Sequence, residues 1–166
     1  MSTYDNLKEA FAGESQANRK YLAFAKKAEE DGFPQIGKLF KAAAEAETVH
    51  AHAHLRALDG IDDTAGNLKA AIEGEGFEFQ QMYPKFLTEA QAEGNKRAEI
   101  SIKNALAVEK IHYDLYSEAF ETFQSGSDLP AAPIHVCAVC GNTVVGDCPD
   151  KCSVCGAGKA RFFEVS

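Results

Sequence analysis

Apolar positions recur at helical spacing through residues 3–124 and predict four long helices. The first stripe runs Leu7, Phe11, Glu14, Tyr21, Phe24, Ala28, and stops at Asp31-Gly32-Phe33; Pro34 suits the first turn of the next helix. The second runs Ile36, Leu39, Phe40, Ala43, Glu47, His50, His54, Leu58, and closes in a polar turn, Asp59 to Gly66. The third runs Leu68, Ile72, Glu75, Phe79, Met82, Phe86, and ends near Gly94. The fourth runs Ile102, Leu106, Glu109, His112, Tyr116, Phe120, Phe123. A Ser-, Gly- and Pro-rich stretch then gives way to short Val and Phe runs among Cys and Gly. The pattern predicts a mainly α chain: a four-helix bundle over residues 1–125, a linker at 126–133, and a small β-rich metal-knuckle module at 134–166.

The helical part repeats itself. Leu7-Lys8-Glu9-Ala10-Phe11-Ala12-Gly13-Glu14 shares five of eight residues with Leu68-Lys69-Ala70-Ala71-Ile72-Glu73-Gly74-Glu75. Glu14 and Glu75 are offset by 61, whereas Tyr21 and Tyr83, Gly32 and Gly94, Glu47 and Glu109, and His50 and His112 are each offset by 62. One residue is therefore inserted between Glu75 and Tyr83, and a helix absorbs such an insertion as a π turn, a device common at functional sites. Glu78 lies in that window, and Pro84 just beyond it removes one further helical hydrogen bond. The repeat predicts two helix pairs related by a pseudo-two-fold axis, with helices two and three running the same way. The chain must then climb back about 30 Å between them, and Asp59 to Gly66 spans at most ~27 Å. A helix-swapped homodimer, in which the first two helices of one chain bundle with the last two of another, is the expectation; up-down-up-down topology is the alternative.

Charged residues inside apolar stripes carry the chemistry. Glu14, Glu47, Glu75 and Glu109 all lie on them, where an unpaired charge is costly. Two Glu-x-x-His tetrads, Glu47 to His50 and Glu109 to His112, each place a carboxylate and an imidazole on one helix face. One Glu from each of two helices plus one Glu-x-x-His from each of two others is the ligand set of a carboxylate-bridged di-metal site in a helical bundle. Four carboxylates would repel one another in one core, and two divalent cations balance them. Oxygen and imidazole donors favour iron or manganese. Glu47 and Glu109 suit bridging, Glu14 and Glu75 terminal ligation, and Glu78 supplies a fifth carboxylate that fits a more oxidised pair. His54 lies one turn beyond His50, while His52 points elsewhere; both are expected to be structural.

The second signature is Cys137-x-x-Cys140-Gly141 and Cys152-x-x-Cys155-Gly156. A glycine after each pair permits the positive φ that turns backbone N–H groups toward sulfur. Four thiolates in a tetrahedron mean iron or zinc, and in recombinant material zinc can take the place of iron. All five cysteines lie between 137 and 155, which reads as metal binding in a reducing compartment; Cys148 is left over as a free thiol. A net charge of −8 without a basic block argues against nucleic acid or an anionic membrane as partner. No apolar run reaches a membrane span, and the N-terminus lacks the features of a signal peptide, so a cytoplasmic location is expected.

Gly13-Glu14-Ser15-Gln16-Ala17, Glu47-x-x-His50, Gly74-Glu75-x-x-Glu78, Met82-Tyr83-Pro84, Glu109-x-x-His112 and the paired knuckles together resemble the rubrerythrin family over nearly the whole chain. The resemblance implies a ferritin-like di-iron domain followed by a rubredoxin-like domain with one iron held by four cysteines. It implies a peroxidase that reduces hydrogen peroxide to water, fed by an electron-donating reductase or a rubredoxin, and protecting against oxidative stress. Carried over by position, the ligands are Glu14, Glu47, His50, Glu75, Glu78, Glu109 and His112, with one iron exchanging between His50 and Glu78 as its redox state changes. Tyr21 and Tyr83 match tyrosines that hydrogen-bond the carboxylates. The chain departs from the family at Val136 and Ser153, where an aromatic and a proline are usual, and at Cys148, where a small residue is common. Competing readings are a ferroxidase or iron-handling protein, to which the cysteine module adds nothing needed, an oxygen-reducing enzyme, and a zinc-ribbon interaction module on a helical scaffold.

Overall fold

The computed structural model describes residues 2–166. The chain is mainly α, with the helices of a ferritin-like four-helix bundle followed by a small three-stranded knuckle module. It divides into two compact units, one running to Asp62 and the other comprising Asp63–Ser166.

The first unit is a helical hairpin of α1 (Thr3–Glu30) and α2 (Pro34–Ala57). Ser2 and Asp5 form a capping box that satisfies the first free N–H groups of α1. Gly32, at φ +85°, ends the helix, and Pro34 opens the next. Small residues set the spacing: Ala25, Ala44 and Ala51 are buried, and a Cβ on Gly37 would meet Glu29 Cγ at 2.8 Å and the Ala25 carbonyl at 3.1 Å. Asn18 is buried in this seam. Its Nδ2 donates to the Ala44 carbonyl at 2.7 Å and to Thr48 Oγ1 at 2.8 Å, so its polar head costs little to bury.

In the second unit the third expected helix is α3 (Thr64–Phe77), a π turn (Glu78–Met82) and α4 (Tyr83–Ala92) in unbroken succession. The π turn falls in the window where the repeat carries its extra residue. Asp63 caps α3 by accepting from Gly66 N at 2.8 Å. Gly94, at φ +68°, turns the chain into α5 (Lys96–Gln124). Gly76 lets α3 approach α5: a Cβ there would sit 3.3 Å from the Tyr113 ring, which also packs on Phe79 with centroids 5.2 Å apart.

Residues 127–133 are without helix or strand. The knuckle module is an antiparallel sheet in the order β2-β1-β3, where β1 is Ile134–Cys137, β2 is Thr143–Val145 and β3 is Phe162–Glu164. Val136 faces Thr143 on one side and Phe163 on the other. The module lies against α5, with Gly141 backed onto Val108.

Large residues of the predicted stripes are less buried than the small ones. Phe24, Ile36, Leu39, Phe86, Tyr116 and Phe123 are all exposed, Leu39 by 70 %. Each helix pair closes its own seam with alanine, glycine and valine, while many of its large apolar side chains remain outside it. Among the described residues, no helix is long and apolar enough to cross a membrane.

Candidate metal centres

Six of the expected carboxylate and imidazole ligands fall into two matching groups, Glu14-Glu47-His50 in the first unit and Glu75-Glu109-His112 in the second. Within each group the donor atoms lie within 4.8 Å of one another, close enough to share one cation. His50 Nδ1 is 3.1 Å from Glu47 Oε2 and 3.9 Å from Glu14 Oε1; His112 Nδ1 is 2.9 Å from Glu109 Oε2 and 3.8 Å from Glu75 Oε1. The repeat in the sequence is thus a repeat in geometry. It presents Nδ1, the nitrogen nearer the backbone, in both groups.

The groups differ in their surroundings. The His112 side chain is 27 % exposed and that of His50 56 %. His112 Nε2 lies 2.9 Å from Thr143 Oγ1 on β2, whose hydroxyl also lies 3.2 Å from the Gly141 carbonyl. Burial, then the neighbouring Glu109 carboxylate, pushes Glu75 up to about 6. Burial and Glu109 likewise raise Glu78, which stands at the start of the π turn beside this group without joining its donor cluster.

Glu99, a buried carboxylate on the same helix α5, behaves in the opposite way. Lys103 at 2.7 Å and Lys96 at 2.9 Å hold it down to about 2. Its charge is already balanced, so it is a structural ion pair.

Helical geometry explains the π turn. At about 100° per residue, Tyr21, seven residues after Glu14, returns to the Glu14 face. Tyr83 comes eight residues after Glu75 and would stand about 80° away in a regular helix. The extra residue is taken up between Glu78 and Met82. Tyr83 remains within electrostatic reach of Glu78, Glu109 and Glu75, and burial together with those charges raises its hydroxyl pKa. Tyr21 packs instead among Phe24 and Phe40. His52 lines a cleft of about 310 Å³ with Asn18 and Arg19, and neither it nor His54 belongs to the His50 group.

The four cysteines of the two knuckles form a third group. Cys137 Sγ is 3.7 Å from Cys155 Sγ, and Cys140 Sγ is 3.6 Å from Cys152 Sγ. A disulfide needs about 2.05 Å. The edge of a tetrahedron with metal–sulfur bonds of about 2.3 Å is about 3.8 Å. The sulfurs are therefore set for a metal. Gly141 (φ +86°) and Gly156 (φ +75°) close the turns, and the N–H groups of Asn142 and Ala157 just beyond them reach Cys140 and Cys155. Burial drives Cys140 up to about 12. At Cys152 burial works the same way, but the Cys155 and Val154 N–H groups outweigh it and bring the thiol down to about 6. Asn142, fully buried, ties the knuckles together through Nδ2, 3.5 Å from Cys152 Sγ and 3.4 Å from Ser153 Oγ. Cys148 stands apart from this group.

Thr143 carried no signal in the sequence, because its part depends on how a strand of the knuckle module meets a helix.

Residues 5–120 match the Rubrerythrin family. The chain is 35 % identical to Rubrerythrin-2 of Clostridium acetobutylicum, with 96 % of this chain and 95 % of the relative aligned. It is 34 % identical to nigerythrin of Nitratidesulfovibrio vulgaris, over 97 % of this chain and 85 % of that one. The fully reduced, all-ferrous structure of nigerythrin superposes with a TM-score of 0.58 at 33 % identity, covering 99 % of this chain and 87 % of that chain. A di-metal ligand set duplicated within one chain, a four-cysteine knuckle pair after it and full-length relatives agree: this chain belongs to the rubrerythrin family.

Proposed function

We propose that the protein is a non-haem di-iron peroxidase that reduces hydrogen peroxide to water, using electrons delivered through an iron in the four-cysteine site. The observation that carries the reading is the pair of matching Glu/Glu/His groups with the cysteine module resting on one of them, through Thr143 and His112. Iron is supported by nigerythrin, whose structures are of mixed-valence, partly reduced and all-ferrous states.

When bound, a ferrous pair supplies two electrons to the O–O bond, and the cysteine-held iron replaces them one at a time. The chain's own residues do the rest. Glu47 and Glu109 would bridge the metals, while Glu14, Glu75, His50 and His112 close the ends. Glu78 and the more exposed His50 would be the alternative ligands at one end of the pair. Tyr83, and Tyr21 on the opposite helix, would hold the carboxylates in orientation through their hydroxyls.

The two groups must meet to make one centre. With Glu47 and Glu75 at one level, about 15 Å of α2 and about 16 Å of α3 would have to be retraced. The six residues between Ala57 and Thr64 reach at most about 22 Å. The partner is therefore a second copy of the chain, each helix pair completing its site on the other copy in a helix-swapped homodimer. The large apolar side chains exposed on each pair support the same assembly. Free, clustered cysteines fit the reducing cytoplasm, and an electron-donating reductase or rubredoxin would serve the cysteine-held iron.

The test is anaerobic. Iron-loaded protein is reduced, one equivalent of hydrogen peroxide is added, and the visible band of the oxidised cysteine-held iron is followed. Its return faster with peroxide than with dissolved oxygen supports the reading. No return, with a normal spectrum for that iron, would leave the iron-handling reading in its place.

A further inference from the structure

We infer that Thr143, a residue of the knuckle module, is a positioning residue for the helical metal site: its hydroxyl holds the His112 ring at Nε2 and so aims Nδ1 at the place a metal would take beside Glu75 and Glu109. The inference rests on the reading of His112 as a ligand.

Donors and acceptors set the ring between two partners. The Thr143 hydroxyl has one proton, and the carbonyl of Gly141, 3.2 Å away, can only accept it. That leaves the hydroxyl oxygen to accept from His112 Nε2 across 2.9 Å. On the other side Nδ1 faces Glu109 Oε2 at 2.9 Å, an acceptor only, and a cation bound by Glu75 and Glu109 would take the place of the proton there while Nε2 stays on Thr143. A ligating histidine usually has its other nitrogen tied in this way, with the partner fixing the tautomer and the ring plane.

The origin of the partner makes this arrangement specific. Thr143 stands three residues after Cys140, and Asn142 between them is anchored to the second knuckle. The strand that carries Thr143 is therefore set by the same turns that gather the four sulfurs. In the first unit no described residue of that unit hydrogen-bonds His50 Nε2. Within their own units, one imidazole of the repeat is tied at both ring nitrogens and the other at Nδ1.

The test uses the full chain with zinc in the four-cysteine site, so that this centre is silent, and compares wild type with Thr143→Val and Thr143→Ser. Two readouts are taken: cobalt(II) titration of the helical carboxylate site and, in the cobalt-loaded protein, solvent exchange of the His112 Nε2 proton, which a bond to Thr143 slows. The expected result is slow exchange and undiminished affinity in wild type and Thr143→Ser. Thr143→Val should exchange that proton faster and bind cobalt about 10-fold more weakly, in the range measured for such outer partners. Zinc content and the melting temperature report whether the valine variant folds; if it does not, Thr143→Ala takes its place. Unchanged exchange and cobalt affinity in the folded variant, or their loss in Thr143→Ser, overturns the inference alone. Failure of wild type to bind cobalt at all overturns both it and the ligand reading.

Discussion

The two Glu/Glu/His groups have the same donor atoms at nearly the same distances, yet they are not interchangeable. In the first, an unbroken α1 carries Glu14, and His50 stands more than half exposed. In the second, the helix bearing Glu75 is interrupted by a π turn that begins with Glu78, and His112 leans on a strand of the knuckle module. An internal duplication alone yields two equal groups. One inserted residue and one appended module make them unequal: His112 is bonded at both ring nitrogens, and His50 at Nδ1 within its own unit.

Removing either of the proposed bridging carboxylates should hurt most and hurt equally. Glu47→Ala and Glu109→Ala should each weaken cobalt or iron binding at the helical site by at least about 100-fold, with the four-cysteine site still filled. Unequal losses in a calorimetric titration would break the equivalence of the groups. The histidines should then separate them: His112→Ala is expected to cost about 10-fold more affinity than His50→Ala, because Thr143 holds the His112 ring at its second nitrogen beforehand. Deleting Gln81 from the π turn sharpens the point further. It restores the spacing of the first repeat and keeps Tyr83 on the Glu75 face, so metal affinity should stay within about threefold. Peroxide-driven return of the visible band of the cysteine-held iron should slow about 10-fold as Glu78 loses its place. Undiminished rates would assign the bulge no part in turnover.

The smallest effect is on stability. The carboxyl of Glu75 has a folded value of about 6 against 4.5 unfolded, so the folded chain binds more protons between those values. Stability of chelator-stripped protein should therefore fall as pH rises from 4.5 through 6, by on the order of 1 kcal/mol once solvent screening of a partly exposed group is allowed for. Glu75→Gln should flatten that slope in urea unfolding. A slope of the opposite sign would mean that the group is not held against its neighbours' charge.

Much of this was legible in the sequence. The change of offset from 61 to 62 located the π turn to within a few residues, because a helix has few other ways of storing one extra residue. Glutamates on apolar stripes pointed to the residues that gather in the two donor groups, since burial without a partner is costly. The glycine after each Cys pair pointed to turns of positive φ, which are found. Two features were not legible. Periodicity placed Leu39 and Phe24 on core stripes but could not say that the seams of the hairpins would be closed by alanine and glycine. Nor could the ring nitrogen offered by His112 be read locally, because it depends on a strand residue 31 positions further along the chain.

The hairpin connection between α1 and α2 has one more consequence. Glu14, Glu47 and His50 are all made within the first 50 residues, on two helices joined by a three-residue turn. Such local structure forms quickly, long before distant segments can find each other. All three donors of the first group are therefore translated before any donor of the second, on helices that are neighbours in sequence. The repeat is thus also a repeat in time: one donor group is synthesised before the next is begun.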